Sequence, residues 1–209
     1  MRRHHFGLVA AALLLGQCGP PTCTPSSSYA FLVREGDLYS RWDPCGDPIT
    51  YQIDTRVGTV DEREAIVSAV ATARDATGYT FEYRGESTDG EPAPGVEAMI
   101  GYTDFPGEQL GEGGGFVTND LEIYEGFAYV EAGLTPAENR HVLLHEIGHL
   151  LGLDHVEDDA QVMFTFVDRT FDTYQAGDLE GLRLVGTSMA CFPASAALER
   201  APRLVTWTD

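Results

Sequence analysis

The stretch "HVLLHEIGHLLGLDHVEDDAQVMF", residues 141–164, decides how the chain is read. It holds His141, His145, His149 and His155, four of the six histidines in the protein. Just upstream, Thr135-Pro136-Ala137-Glu138 supplies a hydroxyl cap, a proline for the first helical position and a glutamate for the third, which predicts a helix from Pro136 to about Leu151. Val142, Leu143, Leu144, Ile147, Leu150 and Leu151 make that helix apolar around much of its circumference, as expected of one buried between two layers. Gly152 ends it, since glycine tolerates the left-handed conformation in which helices often terminate.

His145 and His149 sit one turn apart on one face, about 6 Å along the axis, so two imidazoles can converge on one ion. That pair alone is also what two packed core histidines would give. Here the glycine turn reverses the chain, and His155 follows three residues after Gly152 to bring a third imidazole back. Three neutral imidazoles leave the fourth position of a tetrahedral zinc ion open, the arrangement of catalytic sites. Water at that position has its pKa lowered from about 15.7 toward roughly 7, and Glu146, beside a ligand without being one, is placed to take the remaining proton. The expected chemistry is attack on a peptide carbonyl, with Glu146 acting first as base and then as acid toward the leaving amine. A fourth imidazole would close the open position, so His141 is read as packing or as a neighbour of the ligands.

The spacing His145-Glu146-x-x-His149-x-x-Gly152-x-x-His155 resembles the zinc signature of the metzincin metalloproteases, and Met163 stands where their Met-turn methionine belongs. Within that clan "HEIGHLLGLDH" is most similar to the matrixins, the matrix-metalloprotease family. The likeness extends to "RWDPCGDPITYQID" as a first strand introduced by Trp42 and to "DLEGLRLVG" (178–186) as a final helix, covering about residues 39–186. It implies an α+β fold: a twisted five-stranded mixed sheet with two helices as an upper lobe, a small C-terminal lobe with one helix, and zinc in the cleft between. It also implies a zinc-dependent metalloendopeptidase acting on proteins or peptides, with His145, His149 and His155 as metal ligands and Glu146 as the catalytic carboxylate. Two departures alter the wall of the specificity pocket. Val156 replaces the serine usual after the third histidine, and Phe164-Thr165 replaces the common Tyr-Pro, which makes Phe164 a candidate cleft residue. Thr165 also occupies the place of the tyrosine ligand of astacins and serralysins, arguing against those branches. The alternatives are a zinc-stabilised binding protein without turnover, which would not require Glu146, and a narrow-specificity metzincin of another family.

Ahead of this segment, "PITYQID" (48–54) and "YTFEYRG" (79–85) alternate apolar and polar residues and predict strands. Between them "VDEREAIVSAVATARDATG" predicts a helix capped by Asp61, with Ile66, Val70 and Ala73 on one stripe and Gly78 at its end. Further strands are expected in "EAMIGYT" (97–103), "GFVT" (115–118) and "GFAYVEA" (126–132), whereas "GEQLGEGGGF" (107–116) is glycine-rich enough to read as a loop. Phe116, Val117 and Thr118 are the candidate upper edge of the cleft, where an extended substrate adds as a strand. Calcium at Glu108, Glu112 and Asp120 is a weaker idea than solvated loop carboxylates.

At the N-terminus, Met1-Arg2-Arg3-His4-His5 followed by the apolar run Phe6–Gly16 reads as a secretory signal over residues 1–18, too short for a membrane span. Leu15-Gly16-Gln17-Cys18 resembles a bacterial lipobox, although Gln17 departs from the small residue usual there; Cys18 is thus the candidate lipidation site. Residues 19–38, opening with "GPPTCTPSSS", read as a Pro/Ser-rich tether, and residues 39–209 as the catalytic domain. The expected location is extracytoplasmic, secreted or lipid-anchored to the membrane, and the expected state a monomer. In an exported chain cysteines default to disulfides, and Cys45 with Cys191, near the two ends of the domain, would tie the C-terminal tail to the first strand. The fate of Cys23 stays open. A formal charge of −20 repels phosphate and excludes nucleic acid as partner.

Overall fold

A computed structural model of the chain describes residues 28–167, 169–192 and 203–208. The expected leader, Cys18 and Cys23 lie outside the described residues. In chain order the elements are β1 (Ala30–Phe31), β2 (Arg34–Glu35), β3 (Leu38–Tyr39), β4 (Ile49–Asp54), α1 (Val60–Thr77), β5 (Phe81–Ser87), β6 (Ala98–Thr103), β7 (Gly111–Val117), β8 (Ile123–Glu131), α2 (Pro136–Leu150), β9 (Leu153–Asp154), α3 (Ala176–Val185) and β10 (Arg203–Thr208).

Every residue of β4 is buried because strands flank it on both sides and helices cover one face. It pairs in parallel with β5 and β6, and β6 pairs in parallel with β8. Parallel neighbours need a crossover, and α1 is the one between β4 and β5. The predicted stripe Ile66, Val70 and Ala73 is the buried side of α1. Its start lies two residues earlier than expected. Thr59, not Asp61, is the cap: its hydroxyl accepts the Glu62 N–H while the Glu62 carboxylate accepts the Thr59 N–H, a reciprocal pair. Gly78 closes the helix at φ 78°, as expected.

The sheet is mixed, with order β10-β7-β8-β6-β4-β5, and both β7 and β10 run antiparallel to their neighbours. The five expected strands are β4 to β8, and the sixth, β10, was not anticipated. A second correction concerns residues 107–116, expected as a loop. From Gly111 onward they form β7, since the missing side chains make room for the helix beneath, as described below. A third concerns the tether. From Ser28 onward the chain is part of the domain: β1 pairs with β9, Leu32 N–H donates to Gly152 O at 2.9 Å, and Phe31 stacks on Tyr39 at 4.2 Å.

The core is one layer of apolar side chains between the sheet and the two helices α1 and α2. Leu143, Leu144, Ile147 and Leu150 are fully buried, each such burial stabilising by roughly 1.5–3 kcal/mol. Below α2 the chain from β9 to α3 makes the smaller lobe, and Cys45 and Cys191 form the expected disulfide that ties this lobe back to the start of β4. No helix among the described residues is long and apolar enough to cross a membrane.

Candidate active site

Helix α2 begins where its sequence says, with Thr135 and Glu138 forming a capping box and Pro136 in the first turn. It therefore presents His145 and His149 on its lower face with fixed spacing. Leu151 and Gly152, the latter at φ 103°, turn the chain back. A side chain at Gly152 would strike the carbonyl of Ser40. The turn carries His155 beneath the helix, and the three Nε2 atoms form a triangle with edges of 3.0, 3.2 and 3.1 Å. A tetrahedral ion with Zn–N bonds of about 2.0–2.1 Å places its nitrogens about 3.3 Å apart, close to what is seen. The tautomers fit as well. His145 Nδ1 lies 2.7 Å from Val162 O and His149 Nδ1 lies 2.8 Å from Leu153 O, and a carbonyl only accepts. Both Nδ1 atoms thus carry the proton of the neutral ring, leaving lone pairs on Nε2 that converge on one point, as metal-binding histidines require. Among the described residues this is the group of His, Cys, Asp and Glu able to hold a metal ion.

Glu146 is fully buried, next in sequence to His145 and under β7. The glycines of β7 make that burial possible. A methyl group at Gly111 would collide with the Glu146 carboxylate, and one at Gly113 would lie 2.6 Å from Glu146 O, 2.8 Å from Oε2 and 2.9 Å from His149 Cβ. Alternation along a strand puts Gly111 and Gly113 on one face, and there that face meets α2. The strand is a lid of bare backbone over a carboxylate.

Beneath the histidines, Met163 is almost fully buried and its sulfur packs where Gly148 lacks a side chain. The turn holding it is fixed by a residue that reading the sequence missed. Asp178, fully buried in the first turn of α3, accepts the N–H groups of Val162 at 2.8 Å, Met163 at 3.2 Å and Gln175 at 2.8 Å. Burial pushes its carboxyl above the ordinary aspartate range, against the lowering effect of those three donors. Since Val162 O receives His145 Nδ1–H and the Met163 N–H of the same peptide unit donates to Asp178, one peptide unit joins Asp178 to the first histidine. The signal was an acid three residues after Gln175 at the start of a helix, which reads only as a cap. Trp42 Nε1–H donates to Leu150 O at 2.9 Å and the Tyr174 hydroxyl to Leu144 O at 2.8 Å, pinning α2 from both sides.

The family model described as Matrixin matches residues 41–183. The chain belongs to the matrixin family. It is a metalloendopeptidase of a zinc-dependent class, and the three-histidine cluster is where a matrixin of this sequence can hold its ion. Of 129 matching solved chains, one is titled "Structure of Myroilysin", with 12% identity, a TM-score of 0.49, and coverage of 70% of this chain and 82% of that one. A search of curated proteins finds no match.

Beside His145 the matrixin opens into a cavity of about 420 Å³ lined by Leu110, Val142, Phe164, Phe166 and Val167, with Glu108, Gln109 and Thr165 at its margins. Phe164 forms part of its wall. Phe116 and Val117 end β7, and Thr118 follows them. Glu146 lies under Gly111 and Gly113, whereas Val117 and Thr118 are buried at the far end of β7, so the stretch of edge above the histidines is the glycine run that precedes them. His141 packs as expected: its Nδ1 accepts the Phe171 N–H at 3.2 Å and its ring lies 5.8 Å from that of Phe171. Among the described residues Glu108, Glu112 and Asp120 join no cluster of three His, Cys, Asp or Glu donors.

Proposed function

We propose that this matrixin hydrolyses peptide bonds in proteins outside the cytoplasm, with His145, His149 and His155 holding zinc and Glu146 moving the proton. The observation that carries the reading is the Nε2 triangle with the Glu146 carboxylate buried beside it. A bound zinc ion supplies Lewis acidity, acidifying water and polarising the scissile carbonyl. Val162 O and Leu153 O hold two of the rings in the tautomer that offers Nε2, so the donor set is ready before metal arrives. Glu146 takes the proton from the attacking water and delivers it to the departing amine, and its burial under β7 shields that proton from bulk solvent. The cavity beside His145 receives an apolar side chain of the substrate, which sets the bond against the carboxylate.

The basic and apolar leader supports export, and Cys18 is the residue on which lipid anchoring would occur; residues 1–18 act as the signal and the catalytic domain follows. A chelator test addresses the reading. Treating the full chain with 1,10-phenanthroline removes cleavage of a mixed peptide library and zinc restores it, while His149→Ala binds no zinc and stays inactive throughout. Cleavage that survives complete metal removal, verified by elemental analysis, contradicts it.

A further inference from the structure

The edge of the sheet nearest the histidines is β7, and its outer side is already taken. Strand β10 pairs with it antiparallel at six positions, from Arg203↔Val117 to Thr208↔Glu112, with Trp207 opposite Gly113. Gly113 is the residue whose inner side touches Glu146 and His149. The outward N–H and C=O groups of an edge strand serve one partner at a time, so β10 and an extended peptide cannot both use this edge.

We propose that β10 is a built-in competitor for the substrate edge: residues 203–208 lie on β7 as an extended substrate would, and the enzyme works when they detach. The inference rests on the peptidase reading above for what the edge is used for. The sequence Arg-Leu-Val-Thr-Trp-Thr has the β-branched and aromatic content of a good strand, while its glycine-rich partner has few side chains to contribute. The pairing is therefore largely between backbones, the mode in which one extended segment replaces another. Val205 packs against the core, whereas Leu204 stays 53% exposed. Cys191, fixed by its disulfide, lies only a short length of chain before β10, which makes docking intramolecular and keeps its effective concentration high. A competitor occupying the edge most of the time reduces apparent peptide affinity by the fraction of chains left open.

The test measures binding and cleavage separately. A fluorescein-labelled peptide copying residues 203–208 is titrated against the full-length Glu146→Ala protein, with and without Val205→Pro and Thr206→Pro together. Adjacent strand residues point their N–H groups to opposite sides, so one of these two prolines must remove a donor facing β7. The paired prolines should tighten peptide binding at least tenfold and, with Glu146 restored, lower KM at unchanged kcat. Unchanged affinity overturns the proposal. Tighter binding without cleavage by any Glu146-containing form upholds the competitor and refutes the peptidase reading instead. As a check that does not depend on releasing β10, cysteines at Leu204 and Phe116, which face each other in the register, are cross-linked. The cross-linked chain should lose peptide binding, and retained binding also overturns the proposal.

Discussion

Helix α2 and strand β7 lie against each other and together form the site, yet one announces itself in the sequence and the other is concealed. The helix carries His145, Glu146 and His149, and the turn that ends it brings in His155. Its capping box, its buried leucines and its spaced histidines each follow from a local rule and each agree with the structure. The strand contributes almost no side chains, and its role is to leave space. What the difference teaches is that an active site is specified as much by what is missing as by what is present. Sequence reading, tuned to side chains, registers only the second.

The sharpest way to break that comparison is to fill the space. Gly113→Ala places a methyl against backbone and His149 Cβ, which cannot swing aside, so strand and helix must part. The expected result is a kcat/KM lower by about 100-fold and a loss of about 1–3 kcal/mol in denaturant unfolding, the usual cost of overpacking. Gly111→Ala meets the flexible end of Glu146 instead. It should lower activity comparably with little change in stability, since the carboxylate moves rather than the fold. Equal stability losses in both would show that the glycines serve packing and not the carboxylate.

A milder intrusion tests the other side of the helix. Gly148→Ala presses on the Met163 sulfur, the adaptable end of an unbranched chain, so the cost should be about 1 kcal/mol with zinc content unchanged. Loss of zinc in that variant would assign the methionine a closer part in holding the site. The smallest effect belongs to Tyr174→Phe, which removes one hydrogen bond to Leu144 O. It should shift unfolding by about 1 kcal/mol and leave the pH–activity profile in place, because the hydroxyl, held well above its usual pKa by burial, stays neutral throughout.

Much of the fold was legible where periodicity was strong. Strand β4, helices α1 and α2 and the disulfide were readable, because alternation, caps and paired cysteines have local causes. The three histidines and Glu146 were legible through their spacing. What escaped was non-local. Asp178 looks like a helix cap until the Met163 turn folds onto it, the Gly111–Gly115 run looks like a loop until α2 lies beneath it, and β10 has no partner in sequence until β7 presents an edge. Residues 28–38 look like linker because their short pairings, β1 with β9 and β2 with β3, are too brief to leave a period.

The chemistry depends on the Glu146 carboxylate buried next to the three converging imidazoles. Its most direct test compares wild type with Glu146→Ala for bound zinc by elemental analysis and for cleavage of a mixed peptide library. Equal zinc is expected in both proteins, with a rate lower by about 10²–10⁴ in the variant, the contribution of a positioned general base. Equal zinc with undiminished cleavage would contradict it, since proton transfer would then belong to some other group.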